Sequence, residues 1–104
     1  MAYQQALQAL ADPTRREVLE RLRSGPKPVG RLAAGMRVSR PAVSQHLKVL
    51  EGAGLVRARQ EGRRRIYSVE VRGLMELRRY LERFWDDVLE AFKVQTERKG
   101  RKHG

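Results

Sequence analysis

The 104-residue sequence has no cysteine, which excludes disulfides, thiolate metal sites and thiol redox sensing. It also lacks any run near the roughly 18 apolar residues that a membrane-spanning helix needs. The opening, MAYQQALQALADPTRR, has no basic leader followed by an apolar stretch, so no signal peptide is read there and a cytoplasmic location is expected. Negative charge is scarce: 12 Asp and Glu stand against 23 Lys and Arg, for a formal net charge of +11. That surplus suits a polyanion such as nucleic acid or an acidic membrane face. Imidazole is limited to His46 and His103. No metal site and no cofactor are expected from so sparse a ligand set.

At this length the chain is about one domain, and a body so small buries only roughly 60–65% of its extended surface, so oligomerisation would help to stabilise it. Tyr3, Ala6, Leu7 and Leu10 follow helical spacing and mark a short amphipathic helix. Asp12 and Pro13 read as the cap and first position of a second helix, which buries Val18, Leu19 and Leu22 and stops near Ser24-Gly25-Pro26. A third short helix is expected over Val29 to Ala34. Ser39 then caps a fourth, from Arg40 to about Ala53, with Pro41 in its first turn and an apolar stripe of Val43, Leu47 and Leu50. Two helices joined by a short turn, the second of them capped, form a helix-turn-helix pattern.

The runs LVRARQ and RRRIYSV flank Glu61-Gly62 and read as a hairpin. Arg57, Arg59, Arg63, Arg64 and Arg65 crowd it, so its tip must face solvent or a polyanion. Proline and glycine are absent from LMELRRYLERFWDDVLEAFKVQ, so one long helix is expected from Leu74. Leu74, Leu77, Leu81, Phe84, Val88 and Ala91 repeat at the 3, 4 spacing of a helix-pairing seam, with Trp85, Leu89 and Phe92 beside it. That width implies a partner subunit. The dimer interface is therefore expected to use Leu77, Leu81, Phe84, Trp85, Val88 and Phe92 of this last helix. The organisation is one domain over residues 1–96 with a basic flexible tail over 97–104.

The fourth helix explains why SRPAVSQHLKVLEGAGLV is two-sided. One face packs on the domain, and the other carries Ser39, Arg40, Ser44, Gln45 and Lys48, groups that hydrogen-bond to base edges or phosphates in a major groove. An ordinary solvated helix face is the competing reading, and the arginine hairpin that follows weighs against it. This stretch, with LADPTRREVLERL before it and EGRRRIYSV after it, resembles the ArsR family of bacterial winged helix-turn-helix repressors over about residues 7 to 92. The resemblance implies a mainly α fold with a small β-hairpin, in the order α-α-α-α-β-β-α, and a homodimer paired through its first and last helices, which adds Tyr3, Leu7 and Leu10 of the first helix to the expected dimer interface. It also implies binding to a double-stranded DNA operator built as an inverted repeat. By that likeness the fourth helix is the recognition helix and the hairpin is the wing. The expected DNA-binding residues are Arg37, Ser39, Arg40, Ser44, Gln45, His46, Lys48, Arg59, Arg63, Arg64 and Arg65.

Departures from the family pattern bear on regulation. The third helix, PVGRLAAG, lacks the cysteine pair of many relatives, and the last helix lacks the histidines of others. Asp86, Asp87 and Glu90 read as a solvated face more readily than as a metal site. Arg37 stands where the turn often has glycine. His46 lies between the two faces, where helix packing or backbone contact competes with DNA contact, and Trp85 and Tyr80 read as core before they read as a small-molecule pocket. No arrangement of serine, histidine and carboxylate indicates an enzyme. A sequence-specific dimeric regulator, a repressor without a recognisable metal sensor, is the leading expectation. A sequence-nonspecific architectural DNA-binding protein is the alternative, and the effector is left open.

Overall fold

The computed structural model describes residues 2–103, with side chains placed for residues 3–97. The elements run α1 (Ala2–Leu10), α2 (Pro13–Arg21), β1 (Lys27–Pro28), α3 (Val29–Ala33), α4 (Arg40–Gly52), β2 (Val56–Glu61), β3 (Arg64–Val69) and α5 (Val71–His103). This is a mainly helical fold with a small antiparallel sheet, a winged helix-turn-helix. The sheet has three strands in the order β1-β3-β2, where the sequence predicts only the hairpin. The extra strand pairs Lys27 with Tyr67 and Pro28 with Ile66. Proline lacks an N–H for a ladder, which is why it is tolerated at the edge of a sheet and why so short a strand leaves no pattern to read.

Each helix boundary has a local cause. At the start of α2 the Asp12 carboxylate accepts from the N–H groups of Thr14, at 2.8 Å, and Arg15, at 3.1 Å. The Arg15 N–H is the main reason that the carboxyl titrates below its ordinary 3.8; the Thr14 N–H and the charges of Arg15 and His46 act in the same direction, opposed in part by burial. The far end of α4 closes when Gly54 turns left-handed, with φ 74°. Its N–H then reaches Glu51 O, and the Leu55 N–H reaches Leu50 O, which satisfies two terminal carbonyls. Leu50 and Leu55 are both fully buried beneath that turn.

The core gathers Ala6 and Ala9 of α1, Val18 and Leu22 around α2, Leu32 of α3, Val43, Leu47 and Leu50 of α4, Leu55 of the α4–β2 turn, and Val56 and Tyr67 from the sheet. In α1 it is Ala9, with Ala6, that is buried, while Leu7 is exposed. No charged or polar residue is buried among the described residues. The last helix begins at Val71, three residues before the expected Leu74, and so takes in Gly73. A Cβ at Gly73 would lie 2.7 Å from the carbonyl oxygens of Ala53 and Gly54, so here glycine permits helix packing and does not break the helix. The Gly73 N–H donates to Gly54 O at 2.9 Å, joining α5 directly to the end of α4.

Beyond Tyr80, which stacks on Tyr3 of α1, helix α5 leaves the body. The molecule measures 71 × 25 × 23 Å, and its radius of gyration is 19.4 Å where a compact domain of this size has about 13 Å. Backbone over 97–103, read from the sequence as a tail, continues α5. The side chains of residues 98–103, His103 included, lie outside the described residues. No described helix is long and apolar enough to cross a membrane.

Candidate nucleic-acid interface

The N-terminus of α4 is set by Ser39, whose Oγ accepts from the Ala42 N–H at 3.3 Å. Val43, Leu47 and Leu50 bury one side of the helix completely. At about 3.6 residues per turn, Gln45 and Lys48 then fall opposite that stripe, and both are exposed. Arg40, Ser44 and Glu51 share one flank, and His46 lies on the other. The Arg40 flank faces α3 and the sheet: its guanidinium lies 3.7 Å from where a Cβ on Gly30 would stand. The His46 flank faces the start of α2, and half-buried His46 exerts its charge on Asp12. His46 thus stands off the exposed Gln45–Lys48 side of the helix.

Arg37 is exposed in the turn between α3 and α4. The left-handed residue of that turn is Gly35, with φ 78°, and no described residue other than glycine has a positive φ. The turn therefore needs no glycine at position 37, and a cation is free to occupy it.

Strands β2 and β3 meet at Gly62-Arg63, with Glu61 opposite Arg64 and Gln60 opposite Arg65. Alternation along β3 sends Arg64 and Arg65 to opposite faces. Arg65 shares a face with Tyr67 and is held there: its Nε donates to the Tyr67 hydroxyl at 3.1 Å, its guanidinium lies 5.7 Å from the Tyr67 ring centre, and Glu51 of α4 is 3.7 Å away. Arg59 pairs with Glu61 at 3.2 Å. Arg63 and Arg64 are exposed, and neither has an ion-pair partner among the described residues. The four wing arginines expected at the DNA therefore divide: Arg65 ties the wing to α4, Arg59 is partly neutralised, and Arg63 and Arg64 leave the tip with free charge. The sequence does not distinguish Arg65 from the others, because the Glu51 carboxylate is brought close only by folding.

A second surface runs along α5. Tyr3 of α1 stacks on Tyr80 with ring centres 4.4 Å apart, and Tyr80 neighbours Phe84 at 6.4 Å. Leu10, Leu74 and Leu77 are half-buried against the core of their own chain. Past that point the seam is bare: Phe84 is 59% exposed, Trp85 60% and Phe92 67%, with Leu81 and Val88 also exposed. Leu74, Leu77, Leu81, Phe84 and Trp85 line an apolar groove of about 520 Å³, edged by Arg78 and Glu82. Tyr80, paired with Tyr3, is not part of it.

A capped helix with a polar outer face, preceded by a short helix and followed by an arginine-tipped hairpin, defines a winged helix-turn-helix DNA-binding protein. A family model described as a helix-turn-helix domain matches residues 10–59. The chain is 52% identical over 95 residues to the HTH-type transcriptional regulator Rv2034 of Mycobacterium tuberculosis, covering 91% of this chain and 89% of that one. It superposes on an ArsR-like transcriptional regulator from Rhodococcus sp. RHA1 with a TM-score of 0.75 and 35% identity, covering 88% of this chain and 90% of that one. A homodimeric winged helix-turn-helix domain, Mb0332 from Mycobacterium bovis, gives 0.66 and 28% identity over 86% and 83% of the respective chains. The chain belongs to the ArsR family of winged helix-turn-helix transcriptional regulators, and it is a DNA-binding regulator.

Proposed function

We propose that the protein is a homodimeric, sequence-specific repressor in the cytoplasm, acting on its own or a neighbouring operon without a metal sensor. The observation that carries this reading is the two-sided α4: three fully buried aliphatic residues anchor it, and Gln45 and Lys48 stand on the opposite, exposed side. Gln45 suits the adenine edge and Lys48 a guanine edge or phosphate. Arg37, Ser39 and Ser44 flank them, and Arg63 and Arg64 reach the adjoining backbone or minor groove from the wing. Self-association is supported by the bare seam of α5 and by the homodimeric relative Mb0332. Two subunits paired there present their recognition helices to successive major-groove turns about 34 Å apart, which calls for an inverted repeat. A dimer seated across such a site represses by denying polymerase access to it.

The reading without a metal sensor is argued from composition: the sequence has no cysteine and only two histidines. The net charge of +11 favours a second reading, a sequence-indifferent coat on DNA. Selection of bound fragments from random DNA at physiological salt separates the two. Recovery of one inverted repeat supports the repressor; an unenriched pool supports the coat and defeats the specific reading.

A further inference from the structure

Four arginines near the interface, Arg31, Arg40, Arg63 and Arg64, make no ion pair among the described residues, and no side-chain hydrogen bond of theirs is seen there. They nevertheless converge. Together with Arg65 they surround a cleft of about 380 Å³ between α3, the first turn of α4 and the wing, with Gly30 in its wall. Arg65 alone of the five has a carboxylate, Glu51. Three separate elements thus bring five arginine side chains to one cleft, and four of them have no carboxylate among the described residues, so the cleft favours an anion. Gly30 leaves room for the Arg40 side chain to lie over α3, with its guanidinium turned toward the cleft and away from the Gln45–Lys48 face.

We infer that this cleft is a seat for a DNA backbone phosphate beside the major groove, clamped by Arg31 and Arg40 with the wing arginines, and that Arg40 reads no base. The inference rests on the DNA-binding reading above and divides its labour: phosphate register comes from the cleft, and sequence discrimination comes from Gln45 and Lys48. Planar guanidinium groups suit the task because each can grip phosphate oxygens through two parallel N–H donors. Arg31 has no place in the sequence-based site. The signal that would have found it is its position: the helix before a recognition helix crosses the DNA backbone, so an exposed cation there faces phosphate.

The test measures binding of the wild type, Arg31→Gln, Arg31→Lys, Arg40→Gln and Gln45→Ala to the selected operator and to random duplex, each across 50 to 200 mM salt. Arg31→Gln and Arg40→Gln are expected to weaken both duplexes by the same factor, about tenfold. Each should also make the slope of log affinity against log salt shallower by about one, since one fewer phosphate is neutralised. Arg31→Lys keeps the point charge and should retain the wild-type slope, which separates lost charge from a folding defect. Gln45→Ala should weaken the operator alone. A neutral methylphosphonate at the single linkage facing the cleft should abolish the Arg31→Gln effect, assigning the contact to DNA and not to free phosphate. The inference is overturned if Arg40→Gln weakens only the operator with an unchanged slope, or if Arg31→Gln alters neither duplex. A wild type that does not prefer its selected site defeats the specific-repressor reading instead, and the Arg31 and Arg40 slopes on random duplex still decide the phosphate seat.

Discussion

Arg15, Arg16 and Arg21 show that an arginine-rich composition is not the same thing as a DNA-binding surface. The Arg15 Nε donates to Ala9 O at 2.7 Å, and Arg16 donates to Leu10 O at the same distance, so both close the last carbonyls of α1. Arg21 does likewise for α3 through Ala34 O, at 2.7 Å. These contacts are charge-assisted hydrogen bonds at helix C-termini, where cations are favoured. Arg15→Ala is expected to cost about 1–2 kcal/mol, lowering the melting temperature by roughly 4–8 °C or more, while leaving the salt slope of DNA binding unchanged. Lys48→Ala should do the reverse, with little change in melting and weaker DNA binding. Asp12 offers a pH-dependent test at the same scale. Its native pKa is depressed, so the stability it adds is complete above its unfolded value, about 3.9, and is lost as pH falls through the lower native value. Melting curves of Asp12→Asn should therefore fall below the wild type at neutral pH and converge with it in acid.

Among the elements, α4 is the one whose sequence contains its whole specification: cap, first-turn proline, aliphatic stripe and terminating glycine all lie within one stretch. The wing was legible as a hairpin for the same reason, because its strands and turn are contiguous. What the sequence did not disclose depends on distant partners. Strand β1 exists only because β3 offers an edge to Lys27 and Pro28, and Arg65 is tied down only because Glu51 comes close in space. The start of α5 was placed late because Gly73 reads locally as a helix breaker, whereas its reason is the close passage of the α4–β2 turn. Gly73→Ala drives a methyl group against two backbone carbonyls that have no rotamer to yield. We expect a cost of about 1–3 kcal/mol and a displaced α5, seen as a lower melting temperature together with weaker dimerisation. Unchanged melting would show that the joint between α4 and α5 is slack.

For the molecule as a whole, the dominant fact is that its longest helix runs out of its own core. Phe84, Trp85 and Phe92 form part of an apolar stripe too large for a monomer to leave in water, and the 3, 4 spacing continues from the half-buried Leu74 and Leu77 into that exposed stretch without a break. A double substitution, Phe84→Glu with Trp85→Glu, touches residues that the core of the chain does not use. It is expected to leave the fold intact and to convert a dimer into a monomer in sedimentation at micromolar concentration. Operator affinity should fall with it, because each subunit alone holds one half-site. On the operator, the outer face of α4 is expected to enter the major groove twice, once from each subunit. Dimethyl sulfate footprinting on the selected operator tests it most directly, since the reagent attacks guanine N7 in that groove. Two protected patches centred about 10 base pairs apart are predicted, both weakened in Gln45→Ala. Wild-type binding that leaves every guanine N7 open to attack would contradict it.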